Sequence, residues 1–255
     1  MTFPQDTGVE PGALPAPSVF FWDQFRDTSM GRYHFQHEYA FISDFLATPT
    51  SPRRILDVGC GSGRMTLPLS RLGFRMMGLD IEPVAVTAFQ QQLPGTPLVR
   101  GDVADLPFAA DSFDCVVALQ AAEYVDHKRL LTECYRVLRP GGAVIFDAQN
   151  LHSYKWGLKR VWDPNSSLVS TIVSCRKLLQ SLPEHRFTIH AIRRYNWIPF
   201  SRKSNSPLIR IAASLEQMLH LDRFHSISPK VLLAARKDIA QLTLTLCSAL
   251  NFLGL

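Results

Sequence analysis

The feature that most constrains this chain is a cluster of glycines placed directly after a short apolar segment. Arg53-Arg54-Ile55-Leu56-Asp57-Val58 reads as a buried strand, Gly59-Cys60-Gly61-Ser62-Gly63 as a tight turn, and the residues through about Leu72 as a helix. Without Cβ atoms the glycines let the backbone turn sharply and approach a ligand closely. The helix N-terminus that follows offers unpaired N–H groups to a carboxylate. The spacing is G-x-G-x-G, whereas a dinucleotide fold takes G-x-G-x-x-G, and Arg64 stands where that third glycine would be.

The same strand-and-helix alternation continues. A second strand runs from Phe74 to Leu79 and ends on Asp80, and Pro83 suits the first turn of the next helix. Leu98 to Arg100 is a short third strand before Gly101-Asp102. Phe113 to Leu119 is a fourth, nearly all apolar as a central parallel strand should be. A helix over Lys128 to Leu138 is stopped by Arg139-Pro140-Gly141-Gly142, and Ala143 to Phe146 makes a fifth strand. This order predicts a doubly wound parallel sheet. Upstream, aromatic and aliphatic residues from Phe20 to Leu46 recur at helical spacing, broken near Gly31, which predicts two helices. Past residue 150 the alternation is lost. Leu151 to Leu182 reads as interrupted helix, Phe187 to Trp197 as a long strand, Leu208 to Leu221 as a helix and Val231 to Arg236 as a last strand.

With 255 residues, 46% of them hydrophobic, one domain can bury a sizeable core. The organisation expected is a disordered tail over 1–17, a core with its N-terminal helices over 18–150, a cover and last strands of the same domain over 151–237, and a C-terminal helix over 238–255. The tail carries Pro4, Gly8, Pro11, Gly12, Pro15 and Pro17 and little apolar clustering. Asp6 and Glu10 stand where a secretory signal would be basic, so a cytoplasmic protein is expected. In the C-terminal segment Ile239, Leu242, Leu246, Leu250 and Leu253 share a helical face, although Leu242, Leu244 and Leu246 also suit a strand. At 18 residues, with polar members, it is a weak candidate for a membrane span. The five cysteines are odd in number and never paired as C-x-x-C, which signals neither a disulfide framework nor zinc. Residues 1–150 hold 12 Lys+Arg against 17 Asp+Glu, and residues 151–255 hold 15 against 5, so the two parts meet different partners.

Asp80 lies twenty-one residues beyond Gly59, at a strand end where a carboxylate can accept both hydroxyls of a ribose. A glycine loop with a ribose acid points to a nucleoside ligand. Further segments complete a pattern: Gly78-Leu79-Asp80, Gly101-Asp102-Val103-Ala104-Asp105-Leu106-Pro107-Phe108, Ser112-Phe113-Asp114 and Arg136-Val137-Leu138-Arg139-Pro140-Gly141-Gly142. With Ile55 to Gly63, and over roughly residues 50 to 150, the chain resembles the class I S-adenosylmethionine methyltransferases of the small-molecule type. The resemblance implies a Rossmann-like, mostly parallel seven-stranded α/β sheet with an antiparallel last strand and a helical cover after the fifth. It implies S-adenosyl-L-methionine as cofactor. Asp57, Gly59, Cys60, Gly61 and Gly63 would hold its methionine end, Asp80 with Ile81 the ribose, Asp102 with Val103 the adenine, and Gln120 would sit near the sulfonium. Many relatives carry a histidine one residue after a glutamate behind the fourth strand, where this chain reads Glu123-Tyr124-Val125. That departure leaves the catalytic base unassigned, with His34, His37 and Tyr124 as candidates.

Competing readings attach to each of these residues. Asp57 and Asp80 could simply cap turns, as Asp beside Gly often does. His34 and His37 share a helical face and could contact substrate or only pack. Tyr195, Trp197 and Phe200 could line an apolar pocket or belong to the core, and Arg193, Arg194, Arg202 and Lys203 could be a solvated face. A small-molecule acceptor of anionic or amphipathic character is expected, not a nucleic acid, together with peripheral contact with an anionic membrane. The alternatives are a non-catalytic cofactor-binding module serving a partner protein and a nicotinamide dehydrogenase.

Overall fold

A computed structural model describes residues 21–47, 54–121, 125–162, 175–221 and 227–238. The expected tail over 1–17, Tyr124, and the C-terminal helix from 238 onward, Asp238 apart, lie outside the described residues.

A 3₁₀ turn over Phe21–Phe25 leads into α1 (Ser29–Leu46). The interruption falls at Thr28, whose hydroxyl oxygen accepts the Gly31 N–H at 2.9 Å, and not at Gly31 as the sequence suggested. Gly31 sits in the first turn of the helix for a steric reason: a Cβ there would lie 1.8 Å from the Phe25 carbonyl oxygen. The two helical segments expected are thus a short 3₁₀ turn and α1, with the break a few residues before Gly31.

Seven strands follow: β1 (Arg54–Val58), β2 (Arg75–Asp80), β3 (Leu98–Arg100), β4 (Phe113–Ala118), β5 (Leu138–Gln149), β6 (Phe187–Tyr195) and β7 (Lys230–Lys237). They form one sheet in the order β3-β2-β1-β4-β5-β7-β6. The first five pair in parallel, and β7 runs antiparallel to both β5 and β6. The intervening helices are α2 (Thr66–Arg71), α3 (Pro83–Gln92), α4 (His127–Val137), α5 (Tyr154–Trp162), α6 (Cys175–Glu184) and α7 (Leu208–Met218). β5 is longer than the apolar run alone predicts. Arg139–Gly142 ends α4 as expected, but the same residues already belong to the strand, and Phe113 pairs with Leu138 before the register shifts to Cys115 with Ala143. β6 stops two residues short of Trp197, where Asn196 takes φ 75°.

Alternate residues of the central strands feed two cores. Leu56 and Val116 pack with Leu130, Cys134 and Leu178 of α4 and α6 on one face. Ile55, Cys115 and Val117 pack with Met30 and Ile42 of α1, Leu69 of α2 and Ile209 of α7 on the other. Burial on both faces is why β4 is apolar at nearly every position. Each fully buried Leu, Ile or Val side chain contributes roughly 1.5 to 3 kcal/mol relative to exposure. Cys60, Cys115, Cys134 and Cys175 are buried free thiols. Strand order reverses between β1 and β4, so a crevice opens at their carboxyl ends, where sheets of this kind bind ligands.

Candidate functional site

The glycine turn leaves β1 at that crevice. Gly59, Gly61 and Gly63 all take positive φ (67°, 56° and 88°), and the Leu79 carbonyl accepts the N–H groups of Gly59 and Cys60 at 2.7 and 3.1 Å. The loop is thereby tied to the end of β2. Asp80 completes the tie: its carboxylate accepts the Gly61 N–H at 2.8 Å and the Glu82 N–H at 3.0 Å. Gly63 serves packing against α3, because a Cβ there would lie 2.5 Å from Leu93 Cδ1.

Beneath the loop Asp57 is 3% exposed and accepts the Thr66 hydroxyl at 2.5 Å. Burial pushes its carboxyl up to about 6, against the opposing effects of the Thr66 hydrogen bond and of Arg64. A buried carboxylate in this state favours a cationic partner. Around these groups lies a cavity of about 640 Å³ lined by Asp57, Gly59, Cys60, Gly61, Asp80 and Ile81 on one side and by Asp102, Val103 and Gln120 on another. Asp102 is exposed at the rim, where its carboxylate accepts the Ala104 N–H at 2.8 Å.

Gln120 links this cavity to the far strands. It holds φ 60°, an uncommon conformation for a residue with a side chain. Its N–H is anchored on Asp147 Oδ1 at 2.5 Å, and the other oxygen of Asp147 pairs with the Lys230 ammonium in the interior. The Gln120 side-chain carbonyl accepts from Arg202 at 2.7 Å. Arg202 therefore lines the cavity, which favours a role there over the alternative of a solvated face; Lys203 is exposed, with its ammonium over the Phe25 ring.

The remaining wall comes from α1. His34 lines the cavity and is 5% exposed, and its Nδ1 is buried without a hydrogen-bond partner. Burial, reinforced by Lys230, Arg202, Lys155 and Arg64, holds its ring well below the usual histidine range and thus neutral. His37 lies outside the cavity lining and stacks on Tyr195 at 5.1 Å between ring centroids. Tyr195 itself is core, donating its hydroxyl to Glu38 at 3.1 Å. Glu38 is fully buried and pairs with Arg64 at 2.6 Å. Trp197 stacks on Tyr154.

Sequence reasoning missed Thr66, Glu38, Asp147 and Lys230. Two of these carried a signal. Asp147 follows the apolar run Ala143–Phe146 and Lys230 opens the apolar run Val231–Ala235, and such charges are retained in an interior when paired. Glu38 and Thr66 look like ordinary helix residues and acquire partners only through tertiary contact. Among the described residues no group of His, Cys, Asp and Glu could hold a metal ion, and no helix is long and apolar enough to cross a membrane.

The reversed sheet order, the three-glycine turn under a buried acid and the acid ending β2 place the chain in the class of doubly wound α/β folds with a ligand crevice at the switch point. Within that class, residues 56–146 match the family model described as a methyltransferase domain. Over 101 residues the chain is 42% identical to the phthiotriol/phenolphthiotriol dimycocerosates methyltransferase of Mycobacterium leprae, covering 38% of this chain and 37% of the relative. Over 170 residues it is 29% identical to the mitochondrial ubiquinone biosynthesis O-methyltransferase of Mus musculus, covering 60% and 46%. The chain thus spans less than half the length of these relatives. Its fold is shared by the geranyl diphosphate C-methyltransferase of Streptomyces coelicolor, solved with S-adenosyl-L-homocysteine (TM-score 0.57, 20% identity, 83% and 82% covered). It is also shared by the PH0226 protein of Pyrococcus horikoshii (TM-score 0.61, 16% identity, 84% and 95% covered). Over residues 56–146 the chain is thus similar to methyltransferase domains, and its fold is the one these solved proteins share.

Proposed function

We propose that the cavity binds S-adenosyl-L-methionine and that the protein methylates a small, anionic or amphipathic acceptor from the cytoplasmic side. The observation that carries this reading is the buried Asp57 carboxyl, raised to about 6 and lining a cavity shared with the glycine turn, Asp80 and Asp102. A ligand ammonium relieves that carboxylate, which makes Asp57 with Gly59, Cys60 and Gly61 the site of the methionine end. Gly63 supports the turn by its packing on α3. Asp80 and Ile81 take the ribose, Asp102 and Val103 the adenine, and Gln120 lies at the reacting end. The cofactor supplies an electrophilic methyl group on a sulfonium, so the protein's task is to orient the acceptor and exclude water.

The acceptor wall is His34, Gln120 and Arg202. Neutral His34 can take the proton of an acceptor hydroxyl. Burial leaves His34 a weak base, so an acidic, phenol-like or enol-like hydroxyl suits it better than an alkyl alcohol. Arg202 beside it stabilises the resulting oxyanion or an anionic substituent. Relatives named for phthiotriol dimycocerosates, ubiquinone biosynthesis and geranyl diphosphate support an amphipathic acceptor.

The test has two arms on the purified full chain. Calorimetry should register S-adenosylhomocysteine binding and none of NAD; the reverse result would transfer the chain to nicotinamide chemistry. Incubation with methyl-labelled donor and fractionated phenolic and lipid extracts should then label one fraction, read by mass spectrometry. Cofactor binding with no labelled product in any fraction would favour a non-catalytic module.

A further inference from the structure

Helix α7 is anchored along one narrow side and bare along another. Ile209 and Glu216 face inward, and Glu216 accepts the Tyr33 hydroxyl at 2.5 Å. Leu208, Ile211, Leu215 and Met218, with Leu219 just after the helix, are 45 to 66% exposed. At 3.6 residues per turn these five fall within an arc of about 100°, which is one continuous apolar stripe. Eleven large apolar side chains are exposed among the described residues, and six of them are these five and Ile227, which leads from α7 toward β7. Isolated exposed leucines mean nothing, but such a concentration marks a surface built for contact.

Topology places this stripe beside the cavity. β6 ends at Tyr195 and β7 begins at Lys230, which meets Asp147 at the carboxyl end of β5, so the whole connection containing α7 rises from the end of the sheet where the ligand crevice opens. The start of that connection is pinned to α1: Met30 N–H donates to the Ser204 carbonyl at 3.2 Å, and Ser29 N–H to the Asn205 side chain at 2.8 Å.

Charge and size identify the occupant. From Trp197 to Leu221 the charged residues are Arg202, Lys203, Arg210 and Glu216, and the single acid is buried against Tyr33. Among the described residues of this span the exposed formal charges are Lys203 and Arg210, both positive. Running from Leu208 to Leu219, the stripe is only about 17 Å long at 1.5 Å per residue. Over a helix about 10 Å across that is on the order of 170 Å², far less than the roughly 800 Å² per partner that a stable dimer buries. A short apolar ridge flanked by cations matches the boundary between headgroups and acyl chains of an anionic bilayer.

We infer that the exposed face of α7 docks on an anionic lipid surface and sets the mouth of the cavity against it. On the methyl-transfer reading, the acceptor then enters from the lipid; the docking itself is independent of that reading. The test is vesicle flotation of the full chain, without methyl donor, on phosphatidylcholine alone and on phosphatidylcholine mixed with phosphatidylglycerol. Wild type should float with the anionic vesicles and much less with the neutral ones. Ile211→Asp combined with Met218→Asp should lower the partition at least about tenfold, and Arg210→Glu several-fold. Melting temperature and S-adenosylhomocysteine affinity should be unchanged in both variants, because Ile211, Met218 and Arg210 are exposed and none of them lines the cavity. Failure of wild type to float with either vesicle overturns the inference, as does flotation that the Ile211→Asp/Met218→Asp variant retains. So does a wild-type dimer in sedimentation that the same variant dissociates while vesicles stay unbound. If wild type floats yet binds no S-adenosylhomocysteine, the docking stands and the methyl-transfer reading falls.

Discussion

Asp57→Asn should make the ligand-free protein more stable while weakening its hold on the cofactor. In the folded chain burial raises the Asp57 carboxyl from an ordinary 3.8 to about 6. A raised carboxyl pKa means that folding favours the protonated form. Its contribution is fully present below pH 4 and is lost as pH rises through 6. Above that, the ionised group costs the fold about two units at roughly 1.4 kcal/mol each, or about 3 kcal/mol. Asparagine is neutral at every pH, and its amide oxygen can still accept the Thr66 hydroxyl that now lies 2.5 Å away. At pH 8 the variant should therefore melt higher than wild type by about 6 to 12 °C, at the 2 to 4 °C per kcal/mol of a domain this size. At pH 4 the difference should vanish. Cofactor binding should move the other way, weakening by about 10- to 150-fold with the loss of a charge-assisted contact worth roughly 1.5 to 3 kcal/mol. Wild-type affinity for S-adenosylhomocysteine should itself fall as pH drops below 6 and Asp57 takes up a proton. Scanning fluorimetry from pH 4 to 8 and calorimetry at the same values read both effects. A variant no more stable than wild type at pH 8, or one whose gain persists undiminished at pH 4, would refute the reasoning.

Asp80→Ala removes the acceptor of the Gly61 and Glu82 N–H groups as well as the proposed ribose contact, and S-adenosylhomocysteine affinity should fall by about 1.5 to 3 kcal/mol by calorimetry. An unaltered dissociation constant would move the ribose site elsewhere. Glu38→Ala leaves Arg64 without its buried partner and should cost about 3 kcal/mol in urea unfolding, the low end of the range because a quarter of the Arg64 side chain reaches solvent. A loss under about 1 kcal/mol would show that the pair is replaced by water. His34→Phe keeps an aromatic ring but removes both nitrogens. With an acceptor found by the labelling screen, kcat should drop at least about 100-fold while S-adenosylhomocysteine affinity holds, and an unaffected kcat would remove His34 from the proton's path.

The sequence by itself determined the sheet and the glycine-turn side of the cavity. β1, the glycine turn and β2 are continuous along the chain, and each depends on local rules: apolar runs, positive φ at Gly59 and Gly61, an acid ending a strand. Asp57, Asp80 and Asp102 were legible because parallel strands bring consecutive βα turns to the same edge, so order along the chain becomes order in space. The side of the cavity built from α1 and the β6–β7 connection had no such translation. His34 and His37 are three residues apart and indistinguishable in sequence, yet the packing of α1 turns one to the cavity and the other onto Tyr195. Arg202 looked like part of a charge run until the β6–β7 connection brought it 2.7 Å from Gln120, 82 positions earlier. Glu38 became an interior charge only when Arg64 and Tyr195 closed around it. These contacts join distant segments, and whether a polar side chain is buried with a partner or left in water is decided by packing that no local pattern encodes.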